Sequence, residues 1–162
     1  MSLFSEALML VGFLAASFCA AATGVIFRPG EWYRRLDKPV WRPPDWLFAP
    51  VWSLLYLSIA VSGWLAWRKA GFNGAPLALA SFGLQIFLNA AWTPIFFGMR
   101  RPGLAFAEIV ILWVSIVTTI ASFIPISPTA AWLLAPYLLW VSFAAVLNFS
   151  IWRRNSARAY DP

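Results

Sequence analysis

Charged residues are so sparse along this chain that their gaps mark out its elements. Ala7 to Phe27 is an uncharged run of 21 residues, Trp46 to Trp67 one of 22, and Ala75 to Met99 one of 25. Ile109 to Trp152 runs for 44. As one helix that last run would be about 66 Å long, against a bilayer core of about 30 Å, so it must turn back. Pro125-Ile126-Ser127-Pro128-Thr129 supplies the turn. The pattern predicts an all-α polytopic integral membrane protein, one domain over residues 1–162. Its five transmembrane helices fall at 5–27, 46–68, 75–98, 103–124 and 129–152.

Within the helices, polar and aromatic positions fall into stripes. Gln85, Asn89, Trp92 and Phe96 recur at steps of four, three and four, and Tyr137, Trp140, Ala144 and Asn148 at three, four and four. Residues so spaced share a helix face. Trp52, Tyr56 and Gly63 lie along one face of the second helix. Amides at membrane depth are costly unless they face the interior, so the faces bearing Asn89 and Asn148 should point inward with their aromatic neighbours. Two arrangements satisfy this. The stripes wall a cavity for a large, flat, apolar ligand, or they fill the core and bond each other across helices. On the first helix Gly12, Ala16, Ala20 and Gly24 form a ridge of small residues for close helix approach, within the bundle or between copies.

Residues 28–45 join the first two helices. This loop holds Pro29, Pro39, Pro43 and Pro44 with Trp32, Tyr33 and Trp41. Proline stiffens such a segment and aromatics give it something to bury. It reads as a lid, or as part of the aromatic belt at a membrane surface.

Composition narrows the chemistry. The chain is 62% hydrophobic and 11% charged, with mean hydropathy +0.74, against about 25% charged in soluble domains. It has no histidine and one cysteine, which removes imidazole catalysis and excludes a disulfide framework. No metal and no cofactor are expected. Net charge is +6, but the cations cluster in loops beside apolar spans, a topology signal rather than a nucleic-acid surface. Arg28, Arg34, Arg35, Lys38, Arg42, Arg100, Arg101, Arg153, Arg154 and Arg158 fall on one side of a five-helix arrangement, and only Arg68 and Lys69 on the other. That asymmetry places the C-terminus in the cytoplasm. Cys19-Ala20-Ala21-Ala22 has the small residues of a leader cleavage site, but Glu6 and no cation precede it, so an uncleaved helix is expected.

Eleven tryptophans remain to be explained. Trp32, Trp41, Trp46, Trp64, Trp67, Trp132 and Trp152 suit the membrane interface. Trp52, Trp92, Trp113 and Trp140 lie deeper. Glu108, the one acid well inside a span, is expected to reach the headgroups or to pair with Arg100 or Arg101.

The motifs then resemble a known family. Trp32-Tyr33 with Lys38-Pro39-Val40-Trp41-Arg42-Pro43-Pro44 is similar to the first-loop signature of the translocator protein family, which includes bacterial tryptophan-rich sensory proteins and mitochondrial peripheral benzodiazepine receptors. Pro50-Val51-Trp52 with Leu55-Tyr56, Asn89-Ala90-Ala91-Trp92-Thr93-Pro94-Ile95-Phe96-Phe97-Gly98, and Pro136-Tyr137-Leu138-Leu139-Trp140 with Leu147-Asn148 continue it. The likeness spans residues 10–154. It implies a homodimer in a bacterial cell membrane and a sensor or transporter that binds porphyrins such as protoporphyrin IX, or haem-like tetrapyrroles. The same pocket would take benzodiazepine-site drugs. It assigns the pocket to Tyr33, Trp52, Tyr56, Asn89, Trp92, Phe96, Trp140 and Ala144, to which the stripe adds Tyr137 and Asn148. It links the Ala144 position to altered ligand and sterol affinity. Trp52 and Trp140 match a pair implicated in light-dependent porphyrin breakdown, so a degrading enzyme is the alternative function. A structural subunit of a membrane complex, needing no pocket, is the third. The family's sterol motif is incomplete, since Phe149 stands where it needs tyrosine. In the third helix Phe82 interrupts the small-residue spacing from Ala78 that the family uses for dimer contact.

Overall fold

Proline, glycine and one capping hydroxyl set the ends of the helices. The computed structural model describes residues 3–156, so Arg158 of the topology argument lies outside the described residues. Helix α1 is Leu3–Ile26. A five-residue helix, α2, Glu31–Arg35, sits within the first loop. A single 3-10 turn, Asp45–Leu47, leads into α3, Phe48–Gly74. This helix runs past the predicted end at 68, because charged Arg68 and Lys69 stop a membrane span without stopping a helix. Its regular path breaks at Gly71, whose φ of +66° is open to glycine at little cost.

Helix α4, Pro76–Thr93, starts with proline where a missing N–H costs nothing. Pro94 then removes a donor inside the span, and the chain widens into a π turn, Pro94–Gly98. The N–H of Met99 reaches back to the Pro94 carbonyl at 2.8 Å. Helix α5 is Pro102–Phe123. After the Pro125–Pro128 turn the predicted last helix comes in two pieces, α6, Pro128–Leu133, and α7, Ala135–Asn155. Ser127 caps α6 by accepting the Ala130 N–H at 3.4 Å, and Pro136 accounts for the break. Carbonyls beside that break accept from α3, Ala130 from Ser62 at 2.7 Å and Leu133 from Ser58 at 2.6 Å. Lipid offers no water to do this instead. Among the described residues, five helical stretches are long and apolar enough to cross a membrane, α1 and then Asp45–Gly74, Pro76–Gly98, Pro102–Phe123 and Pro128–Asn155.

The helices close a ring. Helix α1 lies along α3 and α4, α4 along α5, α5 along α7, and α3 against α6, while α3 and α7 barely meet. The α6 end is filled. There Phe82 stacks on Phe123 (centroids 5.9 Å apart) and meets Phe13 edge-on (5.7 Å). Gly63 admits both Phe13 and Phe82 against its backbone. Ala78 and Phe82 are buried, so Phe82 belongs to the core and does not interrupt an outer face. The α1 ridge divides likewise, with Ala20 buried and Gly12, Ala16 and Gly24 exposed, because steps of four drift about 40° each around a helix. Trp67, expected at the interface, is buried beside Phe72.

Candidate functional site

At the other end, where α3 and α7 diverge, the ring encloses a cavity of about 520 Å³ beneath residues 28–47. That is within the usual range of about 300–1,000 Å³ for small-molecule sites. Nine of the ten residues expected to bind ligand line it: Tyr33, Trp52, Tyr56, Asn89, Trp92, Phe96, Trp140, Ala144 and Asn148. Tyr137 does not. It is fully buried behind the wall, edge-on to Trp52 with centroids 6.3 Å apart.

Aromatic contacts build the walls. Trp52 lies against Tyr56 (5.3 Å, tilted 30°), Trp92 stacks on Phe96 (4.9 Å), and Trp140 meets Phe48 edge-on (5.6 Å). The loop forms a roof. Trp32 and Tyr33 pack on Phe96 and Trp41 packs on Phe143, so the segment spans from the end of α4 to α7. Its closing end is tied down where Asn155 bonds both backbone groups of Asp37. On the α1 side, Gly24, Val25, Ala49 and Ser53 line the cavity yet are exposed. The wall is therefore open between α1 and α3, toward the surface that lipid would cover.

The two arrangements left open by spacing turn out to coexist. Tyr56 donates to Asn89 Oδ1 at 2.6 Å, and Asn89 Nδ2 donates to Tyr137 Oη at 2.9 Å. Trp92 Nε1 donates to Asn148 Oδ1 at 3.0 Å, and Asn148 Nδ2 to the Pro102 carbonyl at 2.8 Å. The amides thus line the cavity and also staple α3, α4, α5 and α7 together. Their remaining capacity for a ligand is small. Trp140 differs, since among the described residues its buried Nε1 has no hydrogen-bond partner.

Charge gathers at the mouth. Arg42 Nη1 donates to Asp45 Oδ1 at 2.8 Å and to Tyr33 Oη at 3.3 Å. The Tyr33 bond raises the arginine's already high pKa. Lys38 Nζ lies 4.7 Å from the Tyr33 ring centre and donates to the carbonyls of Tyr33, Arg34 and Leu36. Burial, with the nearby Arg42 charge second, lowers its pKa.

Several expectations need correction. Glu108 pairs with neither Arg100 nor Arg101; both its oxygens are buried without a hydrogen-bond partner among the described residues, because it faces the bundle rather than the surface. Gln85 shares the Asn89 stripe but lies outside the cavity lining, its amide also unpartnered. Trp113 points outward, 38% exposed, and donates to Ser142. Phe149 also faces out, against Phe106 and Trp152. Spacing missed Asp45, Phe48, Val141 and the α1 residues of the lining. Asp45 had a signal in its i,i+3 relation to Arg42; the apolar ones had none.

The sequence pattern of the TspO/MBR family matches residues 7–153. Protein CrtK of Rhodobacter capsulatus is 43% identical over 155 residues, covering 93% of this chain and 94% of its own length. The tryptophan-rich sensory protein of Cereibacter sphaeroides is 38% identical over 155 residues, 93% of this chain and 96% of that one. The translocator protein of Homo sapiens is 37% identical over 150 residues, 90% and 89% respectively.

Proposed function

The chain belongs to the TspO/MBR family, and on that premise we propose that it is a multi-pass membrane sensor or transporter binding flat tetrapyrroles such as protoporphyrin IX in the roofed cavity. One observation carries the reading: Trp52 and Trp140, on helices that barely touch, both line a single cavity of about 520 Å³. A flat ring fits between such walls with little cost in side-chain ordering, because the indoles are already held by neighbours. Affinity then comes from apolar burial, about 25 cal/mol per Å² before the costs of association. The Trp140 N–H is buried without a partner among the described residues, so it would meet a ligand acceptor only if the indole turned toward the cavity. The opening between α1 and α3 suits a ligand that partitions into lipid. Family membership supports the sensor or transporter role.

The test is a titration of protoporphyrin IX into the purified chain in darkness, followed by tryptophan fluorescence. Saturable quenching that Ala144→Thr weakens is expected. Non-saturating quenching, equal in both proteins, would remove the porphyrin from the proposal.

A second reading is light-dependent porphyrin degradation involving the pocket tryptophans. Its support is a run of oxidisable rings in contact: Trp52 on Tyr56, and Tyr56 joined through Asn89 to Tyr137. A product absorbance that grows with light dose and turns over separates it from binding alone.

A further inference from the structure

Resting on the porphyrin-binding reading, we propose that Arg42 selects flat ligands that carry a carboxylate, and that Asp45 is the internal carboxylate such a ligand displaces. The cavity lining contains one charged side chain, Asp45. Alone, that acid would repel an anion at the mouth. Arg42 neutralises it at 2.8 Å. The two partners are not held alike: the Arg42 side chain is 24% exposed and that of Asp45 68%. The cation is the fixed member. Its guanidinium carbon lies 5.9 Å from the Tyr33 ring centre, and Nη1 bonds the Tyr33 hydroxyl. Tyr33 is itself buried and wedged against Phe96 and Phe97.

Arginine carries five N–H donors in a planar fork that matches a carboxylate in two places. Both bonds made by Arg42 leave from Nη1. Among the described residues, Nε and Nη2 donate to nothing, so the edge of the fork that grips a carboxylate is open. The other mouth cation cannot substitute, because Lys38 Nζ is committed to three backbone carbonyls. Nor does Asp37 compete for Arg42, since it pairs with Arg154 at 3.6 Å. A ring seated between Trp52 and Trp140 with an acidic arm toward the mouth would meet Arg42, and the exposed Asp45 side chain would turn to water. A neutral ring of the same shape would leave the Arg42–Asp45 pair closed.

The probes are protoporphyrin IX and its dimethyl ester, which differ in charge at the same ring. The full chain in nanodiscs of uncharged lipid is titrated with each in darkness. Wild type should prefer the acid by about fivefold, the upper end for a solvent-accessible ion pair. Arg42→Gln should weaken the acid alone, to the affinity of the ester or below it, because Asp45 is then left without its cation. Asp45→Asn should tighten the acid and leave the ester unchanged, a gain that no loss of fold can produce. An acid-to-ester ratio that is the same in wild type, Arg42→Gln and Asp45→Asn overturns the proposal while leaving porphyrin binding intact. Were Arg42→Gln to misfold, Asp45→Asn without a tighter acid would overturn it by itself. Wild type that binds neither probe would overturn the porphyrin reading, and this selection with it.

Discussion

Asn155 and Asp37 hold each other by a reciprocal pair of hydrogen bonds across 118 residues of sequence. The Asp37 N–H donates to Asn155 Oδ1 at 2.9 Å, and Asn155 Nδ2 donates to the Asp37 carbonyl at 2.9 Å. A side-chain amide here takes the place of a neighbouring backbone. It clasps the roof of the cavity to the end of α7. Asn155 is 2% exposed, so no water replaces it cheaply.

Asn155→Ala should cost about 1–3 kcal/mol, the usual penalty for leaving buried partners unmatched. Hydrogen exchange should quicken over residues 31–45. Porphyrin dissociation should speed up more than association, because a closed roof retains what has already bound. Equal dissociation rates in mutant and wild type would make the loop an interfacial belt rather than a lid.

Ala144→Thr should weaken flat ligands by about 1–3 kcal/mol, the range for overpacking a filled site. Ala144 lines the cavity one turn from Trp140 and one from Asn148, and threonine crowds the gap between them. Thermal unfolding should change little. Unaltered affinity in a folded mutant would place the ligand elsewhere.

Trp52→Phe and Trp140→Phe should separate binding from any photochemistry. Phenylalanine keeps a flat wall but removes the more easily oxidised ring and its N–H. A binder that does no chemistry would bleach porphyrin at the rate of free dye in all variants. A degrading enzyme would lose product in the mutants at equal bound porphyrin. Wild-type product yield from the double mutant would end the enzyme reading.

Gly63→Ala should destabilise the bundle without touching ligand affinity. A Cβ there collides with the Phe82 ring and comes within 2.8 Å of Phe13 Cδ1. Both rings lie in the filled end, outside the cavity lining, and Phe82 is buried and stacked on Phe123, so its ring has little space to yield. A cost of about 1–3 kcal/mol is expected. An unchanged melting temperature in detergent would mean that the α1–α3–α4 contact repacks freely.

The C-terminus should lie in the cytoplasm. Ten lysines and arginines against two motivate this. A reporter fused after Pro162 and active only in the cytoplasm should give signal; a silent fusion at normal expression would reverse the topology.

Hydrophobic length alone determined that the chain crosses a membrane five times, because a helix must match the bilayer whatever it packs against. Spacing determined which residues share a face, and the cost of burying an amide said that the faces of Asn89 and Asn148 turn inward. Neither could say what those amides meet. Their partners, Tyr56, Tyr137, Trp92 and the Pro102 carbonyl, lie 33 to 56 residues away. Only the rotation and separation of packed helices brings them together. The same holds for the exceptions. Tyr137 sits on the Trp140 stripe yet behind the wall, and Glu108 lies near Arg100 and Arg101 in sequence yet faces away from them. Trp113, like Trp140, lies in the middle of a long apolar helical stretch, but it is turned to the outside of the bundle. Periodicity gives the angle between residues on one helix; the angle of that helix to its neighbours is a property of the whole packed ring.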